Sequence, residues 1–187
     1  GFIREDGHIV FVDRIKDLME LSGGHKVAPQ FLESRLRFSP YIKDAWVLAG
    51  PEGAYVSAII IINYDNVSRW AGQKRVAYTS FGELSQAPEV YELVRQDIDR
   101  VNRTLPPGSQ VKKYVNLHKE FDPDEAELTR TRKLRKIFLA ERYRELTDAV
   151  YADKSEVPIE ARAGDRDEHT GTINITIRIE SVEGAGG

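Results

Sequence analysis

The stretch Ala58-Ile59-Ile60-Ile61-Ile62 is continuously apolar and almost entirely β-branched. A strand of that composition has no polar side to turn to water, so it must lie in the middle of a sheet covered on both faces. It predicts the central strand, inside a longer strand from Tyr55 to Tyr64. Trp46-Val47-Leu48-Ala49 reads as a second strand, joined to the first through Gly50-Pro51-Glu52-Gly53.

The rest of the chain arranges itself around that pair. Phe2-Ile3 and His8 to Val12, with Glu5-Asp6-Gly7 between them, read as a hairpin. Leu18 to Leu21 makes a short strand that runs into Ser22-Gly23-Gly24-His25-Lys26, where adjacent glycines permit positive φ or a close approach to the backbone. Pro29 suits a first helical turn, Leu32 and Leu36 fall on one face, and Ser39-Pro40 ends that helix. Asp65 is expected to cap a helix through about Gly72. Val90, Val94, Ile98, Val101 and Leu105 form the stripe of a helix that starts near Pro88 and stops at Pro106-Pro107-Gly108.

Val111 to Leu117 reads as a further strand with Val115 and Leu117 facing one way, and Lys112-Lys113 as a solvated edge. Leu139, Tyr143, Leu146 and Val150 make the stripe of a helix from Lys133 to about Tyr151. Residues 152–168 are polar and mixed and read as a linker, after which Ile173, Ile175, Ile177 and Ile179 alternate as a terminal strand. Gly184 to Gly187 is expected to be a disordered tail. The fold class is therefore α+β: a small mixed sheet with flanking helices, an N-terminal β-hairpin and a C-terminal β extension.

With 187 residues the chain suits one domain, or one with a small appendage. A net charge of -3 gives no general reason to expect nucleic acid or an anionic membrane. There is no Cys, hence no disulfide framework, thiol nucleophile or cysteine-bound metal, which fits a reducing compartment. The longest apolar run, Val56 to Ile62, is too short to span a bilayer, and no signal-peptide pattern is visible. The chain opens Gly1-Phe2-Ile3, without Met, in what reads as the middle of a strand-turn-strand, and we expect a piece of a larger protein.

Two charged features remain. Asp13-Arg14-Ile15-Lys16-Asp17 places four charges in five positions between apolar runs. Leu128-Thr129-Arg130-Thr131-Arg132-Lys133-Leu134-Arg135-Lys136 carries five cations in its last seven residues, just after the acidic run Asp122 to Glu127. Cations in a loop that opens a helix suit an anionic ligand, although such runs can also be only solvated surface. The four histidines have no metal-ligand spacing, no serine sits in a nucleophile elbow, and no Gly-rich phosphate loop occurs.

Taken together, the two features resemble the C-terminal lid domain of the adenylate-forming superfamily of acyl-CoA synthetases, peptide-synthetase adenylation domains and luciferases. The pattern Asp-Gly, six residues, Arg-x-(Asp or Lys)-Asp is matched by Asp6-Gly7 and Arg14-Ile15-Lys16-Asp17. Gly24-His25-Lys26-Val27-Ala28-Pro29 and Glu33 continue it. Leu128-Thr129-Arg130-Thr131-Arg132-Lys133-Leu134 is similar to the lysine loop of the long-chain fatty acyl-CoA branch, which reads Leu-Thr-x-Thr-x-Lys-Leu where most members have Pro-Lys-Thr-x-x-Gly-Lys. Two departures stand out: an extra residue between Lys16 and Gly24, which long-chain members often share, and Arg130 where that branch frequently has Pro.

The resemblance implies a lid over residues 1–151, with residues 152–187 a linker, terminal strand and Gly-rich tail outside it. It implies that Lys133 is the catalytic lysine that meets the acyl carboxylate and α-phosphate, that Arg14 contacts the nucleotide, and that Lys16 is the hinge. Gly24 would leave room for the pantetheine arm of CoA and Lys26 would touch a CoA phosphate. The implied enzyme is a long-chain fatty acid–CoA ligase using ATP, CoA and Mg2+, the ion held outside this chain, with the large N-terminal adenylation domain as partner and no nucleic acid. The fragment alone should be inert. A cytoplasmic setting follows, with room for peripheral contact at the inner membrane. Two other functions fit the same residues: a standalone CoA- or phosphate-binding module, and a ligase that passes acyl-AMP to a carrier protein.

Overall fold

The computed structural model describes residues 2–3, 9–10, 18–50, 53–152, 154–162 and 172–182. Two short hairpins come first, β1 (Phe2–Ile3) with β2 (Ile9–Val10) and β3 (Met19–Glu20) with β4 (Lys26–Val27). Helix α1 (Pro29–Leu36) leads into the long antiparallel pair β5 (Ile42–Ala49) and β6 (Val56–Ile62). Helices α2 (Tyr64–Lys74), α3 (Phe81–Gln86) and α4 (Pro88–Asn102) follow, then β7 (Val111–Asn116), parallel to β6. The remainder is α5 (Lys136–Arg142), α6 (Arg144–Tyr151), the hairpin β8 (Glu156–Arg162) and β9 (Thr172–Arg178), and a two-residue strand β10 (Glu180–Ser181). The main sheet runs β10-β7-β6-β5.

Strand β6 is the centre that its composition requires, and its side chains divide by the period of two. Ala58, Ile60 and Ile62 enter one core with Leu32, Leu36, Val67, Val90, Val94 and Ile98 from α1, α2 and α4. Ile59 and Ile61 enter a second core with Leu139, Leu146, Val150, Val157 and Ile177 from α5, α6 and the β8–β9 hairpin. Both faces of the sheet are thus closed, by helices on one and by helices plus a hairpin on the other. None of the described helices is long and apolar enough to cross a membrane.

Several local expectations are corrected. Asn63, not Asp65, caps α2, its side chain accepting the Asn66 N–H at 3.1 Å. The six-residue α3 is too short to show a stripe, yet Ser80 and Glu83 cap it as Ser-x-x-Glu, with the Glu83 carboxylate reaching back to the Thr79 N–H at 2.7 Å. Helix α4 ends at Asn102, whose amide closes a pair of 2.9 Å bonds with the backbone of Val111 and so pins the helix end to the start of β7. The expected helix from Lys133 begins only at Lys136 and breaks at Tyr143. Lys112 and Lys113 do not lie on an edge, because β7 is flanked by β6 and β10, and Lys113 Nζ donates to the Val150 carbonyl at 3.2 Å.

The largest correction is within residues 152–168, where residues 156–162 form a strand in register with β9 along its whole length. Val157 and Ile159 carry an alternation there, but Pro158 interrupts its reading. The proline is tolerated because β8 pairs on one side only, so its missing N–H breaks no ladder on the other.

Candidate functional site

The basic stretch is a tight loop rather than a helix start. Leu128 and Leu134 face each other as an isolated antiparallel bridge. The Thr129 N–H donates to the Lys133 carbonyl at 2.8 Å, and the Lys133 N–H donates to Thr129 Oγ1 at 3.0 Å. A turn from Thr129 to Arg132 closes the tip, the Arg132 N–H donating to the Thr129 carbonyl at 2.8 Å. Arg132 takes a left-handed φ of 57°, which an L-residue adopts only at a cost of about 1 kcal/mol. That is the position, just before the lysine, where most lids of the resembled superfamily have Gly.

The five cations divide into two sets. Arg130, Arg132 and Lys133 are exposed and, among the described residues, make no side-chain hydrogen bond or ion pair. Arg135 donates to the Ala126 carbonyl at 3.0 Å and lies over the Phe138 ring, while Lys136 Nζ meets Glu33 Oε1 at 2.7 Å. The loop therefore offers three uncompensated positive charges on a backbone held by its own hydrogen bonds. That arrangement can receive a multiply charged anion without first breaking an internal pair.

The stem is fixed by Glu127, which is fully buried. Its carboxylate accepts the Tyr143 hydroxyl at 2.6 Å and the Asp122 N–H at 2.8 Å, with Lys119 and Arg142 each at 3.1 Å. Its carbonyl accepts the Arg135 N–H at 3.0 Å, across the foot of the loop. Burial, followed by the bond to Glu127, holds the Tyr143 phenol well above its ordinary range, so it remains a donor. The acidic run ahead of the loop is thus not simply a solvated counterpart to the basic one. Glu127→Ala is expected to cost about 2–3 kcal/mol, because one hydroxyl and one amide lose their acceptor and, among the described residues, Lys119 and Arg142 keep only Glu125 as an acidic partner. Denaturant titration checks this, and a wild-type midpoint would refute it.

His118 lies close by, buried, with Nδ1 lacking a hydrogen-bond partner. Burial, helped by Lys119 and Arg142, pushes its imidazole down to about 4 from 6.5. Between those values the unfolded chain binds a proton that the folded chain refuses, so stability falls as pH drops. The expected loss on going from near-neutral pH to about pH 5 is roughly 2 kcal/mol. His118→Gln should flatten that slope in melts recorded against pH.

The other sequence-predicted residues sit elsewhere. Gly24 lies at the tip of the β3–β4 hairpin with φ +74, and a Cβ there would meet nothing within 4 Å. Its glycine is required by the backbone, and the space beside it is open. Gly53, whose own φ is +70, presses under the same hairpin, where a Cβ would come within 2.6 Å of Leu21 Cα. Lys26, on β4, is exposed. Arg14 and Lys16 lie outside the described residues. The hairpin and the lysine loop are connected through α1, which follows the hairpin and carries Glu33 to Lys136. Among the described residues no group of three or more His, Asp and Glu is arranged to hold a metal ion. The sequence places Glu127 in an acidic run, Tyr143 on a helix stripe and Lys136 in the basic run, but assigns none of them a place in the site; only the partners of a fold reveal that.

The molecule is thus a small layered α+β domain that presents a clamped cationic loop. The family model described as "AMP-binding enzyme C-terminal domain" matches residues 16–155, and the chain belongs to that family, the lid of the adenylate-forming enzymes. It is 28% identical over 152 residues to a long-chain-fatty-acid–CoA ligase of Mycobacterium tuberculosis, covering 81% of this chain and 25% of that protein. It is 29% identical over 150 residues to long-chain-fatty-acid–CoA ligase 1 of Homo sapiens, covering 79% of this chain and 21% of that protein. The chain thus spans about a quarter of the length of the curated relatives it matches. In fold it is similar to the adenylation domain of a carboxylate reductase from Mycobacterium chelonae, with a TM-score of 0.62 at 23% identity over 81% of this chain and 24% of that one.

Proposed function

We propose that this chain is the mobile lid of an AMP-forming acid–thiol ligase that activates a long-chain fatty acid and joins it to CoA. The observation that carries the reading is the lysine loop, which presents Lys133 exposed and unpaired on a clamped tip. In the first half-reaction a fatty carboxylate oxygen attacks the α-phosphorus of ATP and pyrophosphate leaves. The Lys133 ammonium would sit against the carboxylate and α-phosphate and offset the charge that develops there. In the second, the lid turns about Lys16, the β3–β4 hairpin replaces the lysine loop, and the CoA thiolate displaces AMP from the acyl carbon. Gly24 leaves the hairpin tip open for a pantetheine arm, and Lys26 offers a cation for a CoA phosphate. Arg14 is assigned to the nucleotide. The long-chain assignment is supported by the relatives named above and by the form of the loop sequence. A cytoplasmic enzyme with peripheral membrane contact belongs to the same proposal.

The test is pyrophosphate release by the intact protein with ATP and palmitate, followed by addition of CoA. Release followed by palmitoyl-CoA supports the proposal in full. Release only with shorter or aromatic acids removes the long-chain assignment. Acyl-AMP that transfers to a carrier pantetheine but not to CoA changes the acceptor. No release with any acid overturns the enzyme reading in favour of a binding module.

A further inference from the structure

Lys136 is the first residue of α5 and follows Lys133 by less than one turn. Helix α5 begins without a side-chain cap, so its first N–H groups have only water or the preceding loop to hold them. What fixes this end is Glu33. That carboxylate is 6% exposed on α1, and its Oε1 accepts both the Val47 N–H of β5 at 3.0 Å and the Lys136 ammonium at 2.7 Å. Asp44, itself paired with Arg37 at 3.5 Å, is the other acidic group against this cluster. Burial raises the Glu33 carboxyl and Lys136 opposes that rise, as expected of a buried charge whose counter-ion is specific.

Glu127 thus clamps the entrance of the lysine loop, and Glu33, through Lys136, clamps its exit onto the sheet. We propose that Glu33 and Lys136 are positioning residues for Lys133. Their ion pair holds the start of α5, and with it the loop, in the geometry that acyl-adenylate formation needs. The proposal rests on the lid reading above. It adds that of the five cations in the run, Lys136 serves the fold of the site and not the anion.

The intact enzyme tests this with Lys136→Met, Lys136→Arg and Glu33→Gln. Lys136→Met keeps the half-exposed stem and removes the charge; Glu33→Gln keeps an acceptor for Val47 and removes the counter-ion. Both should lower kcat for pyrophosphate release by roughly 10- to 100-fold, since a misplacement near 1 Å can cost about 10²-fold. KM for ATP and acid should stay within about twofold, and thioester formation from preformed acyl adenylate should be spared, because Lys133 takes no part in it. Lys136→Arg should recover most of the rate, and the double variant should be no worse than either single one.

If Lys136 touched the substrate itself, Lys136→Met would lose rate while Glu33→Gln kept it, and positioning would be wrong. Equal loss of both half-reactions, or a rise in KM alone, would also overturn it. A wild type that forms no acyl adenylate from any acid would instead remove the lid function on which the proposal stands.

Discussion

Lys133→Ala in the intact enzyme is expected to lower acyl-adenylate formation by roughly 10²- to 10³-fold, the loss that follows removal of one preorganised donor from developing charge. Thioester formation from preformed acyl adenylate should change by no more than a few-fold. The structure explains why the effect should be this selective. Lys133 contributes its N–H and carbonyl to the loop, through Thr129, and its exposed side chain makes no hydrogen bond or ion pair to a described residue. Alanine keeps both backbone bonds, so stability should move by no more than about 0.5 kcal/mol. Pyrophosphate release measures the first half-reaction, and product formation from synthetic acyl-AMP measures the second. Lys16→Pro, placed at the proposed hinge, should give the opposite pattern by blocking the turn of the lid. If both variants lost the same half-reaction, the roles assigned to Lys133 and Lys16 would be wrong.

How far these features could be read in the sequence depends on whether their cause is local. The β6 run announces itself because its burial on two faces is written into consecutive residues. The α4 stripe does so because Val90, Val94 and Ile98 repeat at the helical period, and all three are fully buried. The loop's cationic character is equally local. The clamps are not. Glu127 stands in an acidic run where burial of one carboxylate depends on Tyr143, Arg142 and Lys119, which only folding brings round it. Glu33 could be picked out by its place after Pro29, but its partner lies a hundred positions on, at |i−j| of 103. The start of α5 at Lys136 rather than Lys133 has the same origin: the Leu128–Leu134 bridge takes the intervening residues out of the helix. Strand β8 was hidden for another reason. Its pattern is local, but the proline that masks it is harmless only because β8 pairs on a single side.

Ile177→Asp should unfold the chain or come close to it, with a loss above about 4 kcal/mol against the 5–15 kcal/mol that holds a typical domain. Ile177 is fully buried on β9, opposite Val157 of β8, in the same core as Ile59, Ile61, Val115, Leu146 and Val150. A carboxylate there would sit among the apolar side chains of that core and must be either desolvated or expelled with its strand. The family match ends at residue 155, yet the segment beyond it supplies much of the cover for this face of the sheet. It is also tied to the opposite core, where the Tyr91 hydroxyl donates to the Arg178 carbonyl at 2.6 Å and the Arg178 N–H donates to Gln86 at 3.0 Å. Residues 156–162 and 172–178 are therefore packed as a hairpin on one face of the main sheet, and Glu180–Ser181 pairs with β7 at its edge. Ser181→Asp, on the exposed side of β10, is the matched control and should melt with the wild type. The lysine loop stands on the same core through Leu128, Leu139 and Tyr143. Ile177→Asp should consequently abolish acyl-adenylate formation together with the fold, whereas Ser181→Asp should keep both. Thermal melts followed by circular dichroism decide it: an Ile177→Asp chain that melts like the wild type would show that β9 does not carry the second core.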